Sequence, residues 1–288
     1  MNGNLKLAVQ KKGRLTDKSL ELLKLCGLEI DNYSERLVVS IRNFPLDILF
    51  LRDDDIPEYV QDGVADIGIV GENVILEKQS QIQIQEKLGF GRCSLILAHP
   101  NDKELKNIKD LNGKTIATSY PKILRNFLEK NMLDAKLIEL SGSVEIAPSL
   151  GIADVICDIV STGNTLMMNK LKKSFKVFDS EAVLISSGKD FDDPNKKVIL
   201  NDILKRIRSV LTARSSRYLM MNIPKDSLEK VVKLIPALKS PTVLHLADEN
   251  LLAVHAVIPS KTFWDIIDDL KAAGASGILL LPIENLIQ

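Results

Sequence analysis

Two kinds of hydrophobic spacing take turns along most of this chain. Short apolar runs such as LKLAV (5–9) and ADIGIVG (65–71) alternate with helical stretches such as TDKSLELLKLCG (16–27). A strand buried on both faces reads as a continuous apolar run, whereas an amphipathic helix repeats about every 3.6 residues. Their alternation selects layered α/β architecture over a helix bundle or a β-sandwich.

The spacing predicts two α/β cycles. In the first, Thr16 is placed to cap a helix that Gly27 ends, RLVVSI (36–41) and LDILFLR (46–52) read as strands, and DDIPEYVQDG (54–63) reads as a helix with Pro57 in its first turn. After FGRCSLILAHP (90–100), a strand ending in proline, the second cycle starts. It continues through the strand and turn GKTIATSYP, the helix KILRNFLEKN, the strand AKLIEL and a short helix in SVEIAPSLG. The strand ADVICDIV (153–160) follows, then TGNTLMMN (162–169) as the next helix start, and FKVFDSEAVLISS (175–187) as one long strand returning to the first lobe. Two lobes joined by extended crossings would leave a cleft, a common place for small ligands.

A polar break, KDFDDPN (189–195), precedes a long helix, after which the pattern changes. RYLMMNIP, KDSLEKVVKLI, PTVLHLA, LLAVHAVIP, SKTFWDIIDDLKAAG and SGILLLPIE read as β-α-β-β-α-β, the ferredoxin-like order. We therefore expect lobe I at 1–95 with 180–213, lobe II at 96–179, and a C-terminal α+β domain at 214–288.

Charge and composition exclude several classes. The chain has 38 basic and 38 acidic residues, so it has no electrostatic footprint for nucleic acid or an anionic membrane. No apolar stretch approaches the ~20 residues of a membrane-spanning helix, and MNGNLKLAVQKKGRL carries no charged-then-apolar leader. Cys26, Cys93 and Cys157 are isolated, and His99, His245 and His255 are scattered, with neither zinc nor redox spacing. A reduced, cytoplasmic chain is expected.

CDIVSTGNTL (157–166) breaks an apolar run into Ser161, Thr162, Gly163, Asn164 and Thr165. Free backbone N–H groups at such a strand-to-helix turn suit a phosphate monoester, and Gly163 lets the backbone come close. Asp154 and Asp158, four apart on a strand, share a face, where two acids suit ribose hydroxyls. An N-capped helix after a buried strand explains the same residues. QKKGRL (10–15) sets Lys11, Lys12 and Arg14 about a glycine, as a phosphate contact or a solvated basic turn. RDDDIP (52–57) and the strand end at Gly71, Glu72 and Asn73 have a structural explanation as helix starts, and Tyr120 before Pro121 is placed to stack on a base or simply to cover a turn.

Together these segments, in their order, resemble the long form of ATP phosphoribosyltransferase, the first enzyme of histidine biosynthesis. LAVQKKGRL, RDDDIPEYVQDGVADIGIVGEN, LNGKTIATSYP, SGSVEIAP, ADVICDIVSTGNTL, SRYLMMNIP, SPTVLHLA and GASGILLLPIE carry the resemblance over nearly the whole chain. It implies a two-lobed α/β catalytic part similar to type II periplasmic binding proteins, then an ACT-like regulatory domain. It implies transfer of phosphoribosyl from phosphoribosyl pyrophosphate (PRPP) to N1 of ATP, with Mg²⁺ and release of pyrophosphate.

The resemblance assigns the 5′-phosphate to Ser161, Thr162, Gly163, Asn164 and Thr165, and the ribose to Asp154 and Asp158. It assigns the nucleotide to Arg14 with Lys11 or Lys12, and to Gly71, Glu72, Asn73 and Tyr120. Histidine, as feedback inhibitor, is assigned to Asn222, Leu238, Ser240, Thr242, Val257 and Gly277. AMP is a second inhibitor, and a homo-oligomer passing from dimer to hexamer is implied, with no accessory subunit, nucleic acid or membrane partner.

Overall fold

The computed structural model describes residues 3–31, 36–160, 163–189, 191 and 193–287. The chain divides into two compact units, 1–21 with 28–199 and 22–27 with 200–288. The first unit contains two sheets.

The first cycle folds as β1 (Leu5–Gln10), α1 (Thr16–Leu25), β2 (Val38–Ser40), β3 (Leu46–Leu51), α2 (Ile56–Gln61), β4 (Ile67–Gly71), α3 (Glu72–Lys78) and β5 (Gln83–Lys87). A single 3-10 turn, Asp53–Asp55, leads into α2. Thr16 does begin α1, but its hydroxyl donates to the Gln10 carbonyl at 3.0 Å, which ties the helix to the end of β1. Gly27 follows with φ +80° and ends the helix as expected. Every residue of β4 is buried, which accounts for its unbroken apolar run. β5, whose sequence is QIQEK, lacks an apolar run and shows no strand signal.

The second cycle comprises β6 (Cys93–Pro100), β7 (Thr115–Thr118), α4 (Pro121–Lys130), β8 (Lys136–Glu139), β9 (Val155–Val160), α5 (Asn164–Met168) and β10 (Leu171–Ser180). The short helix expected near Val144 is a 3-10 turn, Val144–Ile146. The expected long strand is two strands. β10 pairs with β6, and after Glu181 the chain continues as β11 (Ala182–Ser186) between β4 and β5. The return to the first lobe is thus a change of sheet within one apolar run.

The resulting sheet orders are β2-β3-β1-β4-β11-β5 and β10-β6-β9-β7-β8. Each lobe has parallel central strands and an antiparallel strand contributed by a crossing, β11 in the first and β6 in the second, and β2 adds a further antiparallel strand at the edge of the first sheet. That is the two-lobed α/β arrangement of type II periplasmic-binding-protein folds. The crossings bond to each other, Leu88 N–H to Ala182 O and Ala182 N–H to Phe90 O, each at 2.9 Å.

The second unit takes in most of the long helix α6 (Pro194–Arg214), then β12 (Ser216–Pro224), α7 (Leu228–Leu234), β13 (Thr242–His245), β14 (Leu251–Pro259), α8 (Phe263–Ala272) and β15 (Ser276–Pro282). The antiparallel order β13-β14-β12-β15 is the ferredoxin-like one. Leu219, Met221, Ile223, Leu252, Val254 and Ile258 alternate onto one face and pack with Val231, Phe263 and Leu270 of α7 and α8.

Candidate active site

β9 lies between β6 and β7, and its side chains are buried on both faces of the sheet, Val155 and Cys157 against Leu124 and Leu128 and Ile156 against Val144 and Leu166. Near its C-terminal end Asp158 accepts the N–H of its neighbour Ile159 at 2.8 Å. Burial raises the Asp158 carboxyl above its ordinary value; the Ile159 N–H and, at longer range, Arg14 oppose this while Glu145 adds to it.

Beyond β9, Ser161 and Thr162 lie outside the described residues. Gly163 has φ +91°, and a Cβ there would stand 2.9 Å from both Cε and Nζ of Lys173. The left-handed backbone favours glycine here, and the end of the flexible Lys173 side chain lies against the place of the missing Cβ. α5 is five residues long, so the turn has little helix dipole to offer. The nearby cation is Lys173 of β10, which the sequence does not mark because it lies in a different strand.

Asp154 does not join Asp158. It stands just before β9, where its carboxylate accepts the Thr115 N–H at 3.1 Å and meets Lys103 at 3.4 Å. The Thr115 bond, supported by Lys103 and opposed by slight burial, holds its carboxyl below the usual range. Four residues of strand separate the two acids by about 13 Å. Asp154 precedes β9 and turns to Thr115 and Lys103, whereas Asp158 lies in the C-terminal half of the strand, so the paired-acid arrangement is not formed.

Of the residues assigned to nucleotide, Arg14, Gly71, Asn73 and Tyr120 come together. They line one cavity of about 170 Å³ with Gln10, Leu15, Asp53, Cys93 and Ile159. Gln10 Oε1 accepts the Leu15 N–H at 3.2 Å, folding the QKKGRL turn back so that Arg14 faces the cavity. Ser180 clamps Asn73, accepting its backbone N–H at 3.1 Å and donating to its Oδ1 at 2.9 Å. A Cβ on Gly71 would collide with Asn73 Oδ1 at 2.3 Å, which is why glycine ends β4.

Burial pushes the Tyr120 hydroxyl well above its ordinary value, with the charge of Asp158 second. The phenol therefore stays neutral, able to donate.

Asp53 is the functional candidate that sequence reasoning left among helix-start acids. Its Oδ1 is buried with no hydrogen-bond partner among the described residues. Desolvation, helped by Asp54 and opposed by Arg14, pushes its carboxyl up to about 6.

Glu72 and Lys11 lie elsewhere. Glu72 faces an adjoining recess of about 430 Å³ and pairs with Lys87 at 2.9 Å. Lys11 and Lys12 line a third recess of about 290 Å³ with Thr16 and Arg36. Among the described residues no three His, Cys, Asp or Glu side chains gather as a metal site.

The residues assigned to histidine form separate contacts. Asn222 lies beside Gly277, whose φ is +57°, with Nδ2 3.5 Å from the place of a Cβ there. Asn222 Oδ1 is buried without a partner among the described residues. Leu238 N–H donates to Val257 O at 2.9 Å, Thr242 stands opposite His255, and Ser240 is exposed.

The family model described as ATP phosphoribosyltransferase (HisG) matches residues 52–209, and that described as HisG, C-terminal domain, matches 213–285. The ATP phosphoribosyltransferase of Bacteroides thetaiotaomicron is 48% identical over 283 residues, 98% of this chain and 99% of that protein. That of Cytophaga hutchinsonii is 47% identical over 288 residues, the whole of both chains. A chain of the ATP phosphoribosyl transferase (HisG:HisZ) complex from Thermotoga maritima superposes with a TM-score of 0.59 at 29% identity, covering 71% of this chain and 98% of that one. With family, full-length relatives and fold in agreement, this chain belongs to the ATP phosphoribosyltransferase family and is a pentosyl-transferring enzyme.

Proposed function

We propose that this enzyme performs the first step of histidine biosynthesis, joining ATP to PRPP to give N1-(5-phosphoribosyl)-ATP and pyrophosphate. One observation carries the reading. Arg14, Gly71, Asn73 and Tyr120 share a cavity with Ile159, the neighbour of Asp158 on the strand that runs toward Gly163. A base held in that cavity lies beside a sugar held at the end of β9.

Adenine N1 brings its own lone pair, so attack on the anomeric carbon requires no protein nucleophile. The thiols suit this, since burial pushes Cys26 up to about 11 and raises Cys93 and Cys157 as well. The protein's task is alignment, which supplies ~7–11 kcal/mol in well-oriented reactions. The turn at Gly163, Asn164 and Thr165, with Lys173 beside it, holds the 5′-phosphate, to which the resemblance also assigns Ser161 and Thr162. Asp158, not Asp154, faces the ribose as positive charge develops on its ring. Magnesium enters with the diphosphate as part of the substrate; it commonly keeps several waters and few protein ligands.

The C-terminal ferredoxin-like domain, 214–288, is the regulatory part, binding histidine through the region of Asn222, Leu238, Ser240, Thr242, Val257 and Gly277. Residues 1–95 with 180–213 and 96–179 form the two catalytic lobes. AMP competes for the nucleotide cavity, and the enzyme works in the cytoplasm as a homo-oligomer, dimer to hexamer, without nucleic acid or membrane. Among the described residues no helix is long and apolar enough to cross a membrane.

Purified enzyme with ATP, PRPP and Mg²⁺ should develop the ultraviolet change of N1-substituted adenine and release pyrophosphate. Pyrophosphate release with another base and none with ATP would overturn the assignment.

A further inference from the structure

The cavity has one acceptor left over. Gln10 Oε1 is taken by the Leu15 N–H, and Asn73 Oδ1 by the Ser180 hydroxyl. Asp53 Oδ1 alone is buried and without a donor among the described residues. A buried acceptor without a donor loses stability, and an ionised one loses more, so such an atom is expected to find its partner in a ligand.

What fills it must donate. Phosphate oxygens accept and are repelled, which leaves the exocyclic amine of a base or a ribose hydroxyl. The cavity favours the base, because Leu15, Tyr120 and Ile159 offer apolar and aromatic surface to a flat ring while Asp53 stands among its polar groups.

We propose that Asp53 accepts a hydrogen bond from the 6-amino group of adenine and so selects ATP over 6-oxopurine nucleotides. This rests on the reading of the cavity as the nucleotide site. As the N1–C1′ bond forms from the N1 lone pair, the C1′–O bond breaks and its electron pair leaves on diphosphate. The adenine ring becomes cationic across N1, C6 and N6. The N6–H bond to Asp53 then strengthens with the proton remaining on N6, so the contact aids the transition state as well as binding. A 6-oxo group would bring lone pairs against the carboxylate.

The test is isothermal titration of ATP, 2′-deoxyATP and ITP into wild type, Asp53→Asn and Asp53→Ala, with ITP serving only as a binding probe. Wild type should prefer ATP over ITP by about tenfold or more, the range for a charge-assisted bond. Asp53→Asn, whose amide can face either group, and Asp53→Ala, which can face neither, should each reduce that preference to within about threefold. 2′-DeoxyATP should lose as much affinity as ATP.

An ATP preference unchanged in both variants, or an equal loss for ATP and ITP, would overturn the proposal. So would a loss seen with ATP and absent with 2′-deoxyATP, which would put Asp53 on the ribose. Wild-type turnover of ATP with PRPP separates this failure from failure of the underlying function. The alanine variant keeps the comparison decisive if the asparagine variant does not fold.

Discussion

Glu77 on α3 of the first lobe accepts the backbone N–H of Lys122 at 3.1 and 3.2 Å and that of Ile123 at 3.1 Å, in the first turn of α4 of the second lobe. α4 begins with Pro121 and has no side-chain cap of its own, because Tyr120 stands at the capping position. The missing cap is supplied from the opposite lobe, next to the cavity Tyr120 lines. A carboxylate at a helix start is also favoured by the helix dipole.

Glu77→Ala should therefore lower unfolding free energy by ~1–2 kcal/mol, and Glu77→Gln by less, since the amide keeps one acceptor. Denaturant titration measures this. The alanine variant should also show a higher KM for ATP, because the bond holds Tyr120's helix against the nucleotide lobe. Unchanged stability and unchanged KM would mean that the contact is idle.

Gly163→Ala should raise KM for PRPP about tenfold or more, with ATP binding in titrations nearly unchanged. The new Cβ faces strain at φ +91° and displaces the end of the Lys173 side chain, the strain amounting to ~1–3 kcal/mol at such positions. Steady-state kinetics read this directly, and equal losses for both substrates would argue against a local role.

Asp158→Asn and Asp154→Asn should separate. The first should reduce turnover by about 100-fold, the scale of removing one preorganised electrostatic contact. The second should keep turnover within about twofold and lose a small amount of stability, a few tenths of a kcal/mol for so exposed a pair. Because the folded Asp154 carboxyl sits below its ordinary value, its contribution is present above about pH 4 and fades as pH falls through the folded value. The stability difference between wild type and Asp154→Asn should close in acid.

Asp53 has the opposite sign. Its folded carboxyl is raised from 3.8 to about 6, so the folded state binds more protons and stability falls as pH rises between those values. Asp53→Asn should be more stable than wild type at pH 7, by ~1–3 kcal/mol at ~1.36 kcal/mol per pH unit, with the gain vanishing below pH 4. Thermal melts of ligand-free protein across that range check the sign.

Much of the architecture was legible because it follows local spacing. Buried β4 reads as an apolar run, and the six terminal elements appear in their sequence order. What escaped depends on long-range pairing. The run 175–187 carries no mark at Glu181, yet its halves belong to different sheets. By spacing, Asp154 and Asp158 share a strand face, but periodicity says nothing about which end of the strand meets the ligand. Lys173, Glu77 and Asp53 gain their roles from partners far along the chain or, for Asp53, from the lack of a hydrogen-bond donor among the described residues, and no spacing rule encodes either.

The most direct measurement is a crystal structure of the enzyme with PRPP and AMP bound. The 5′-phosphate is expected at Gly163, Asn164 and Thr165 with Lys173 nearby, the ribose beside Asp158, and adenine in the cavity of Arg14, Asn73 and Tyr120 with its 6-amino group on Asp53. A sugar phosphate bound elsewhere, with that turn making no contact to it, would contradict it.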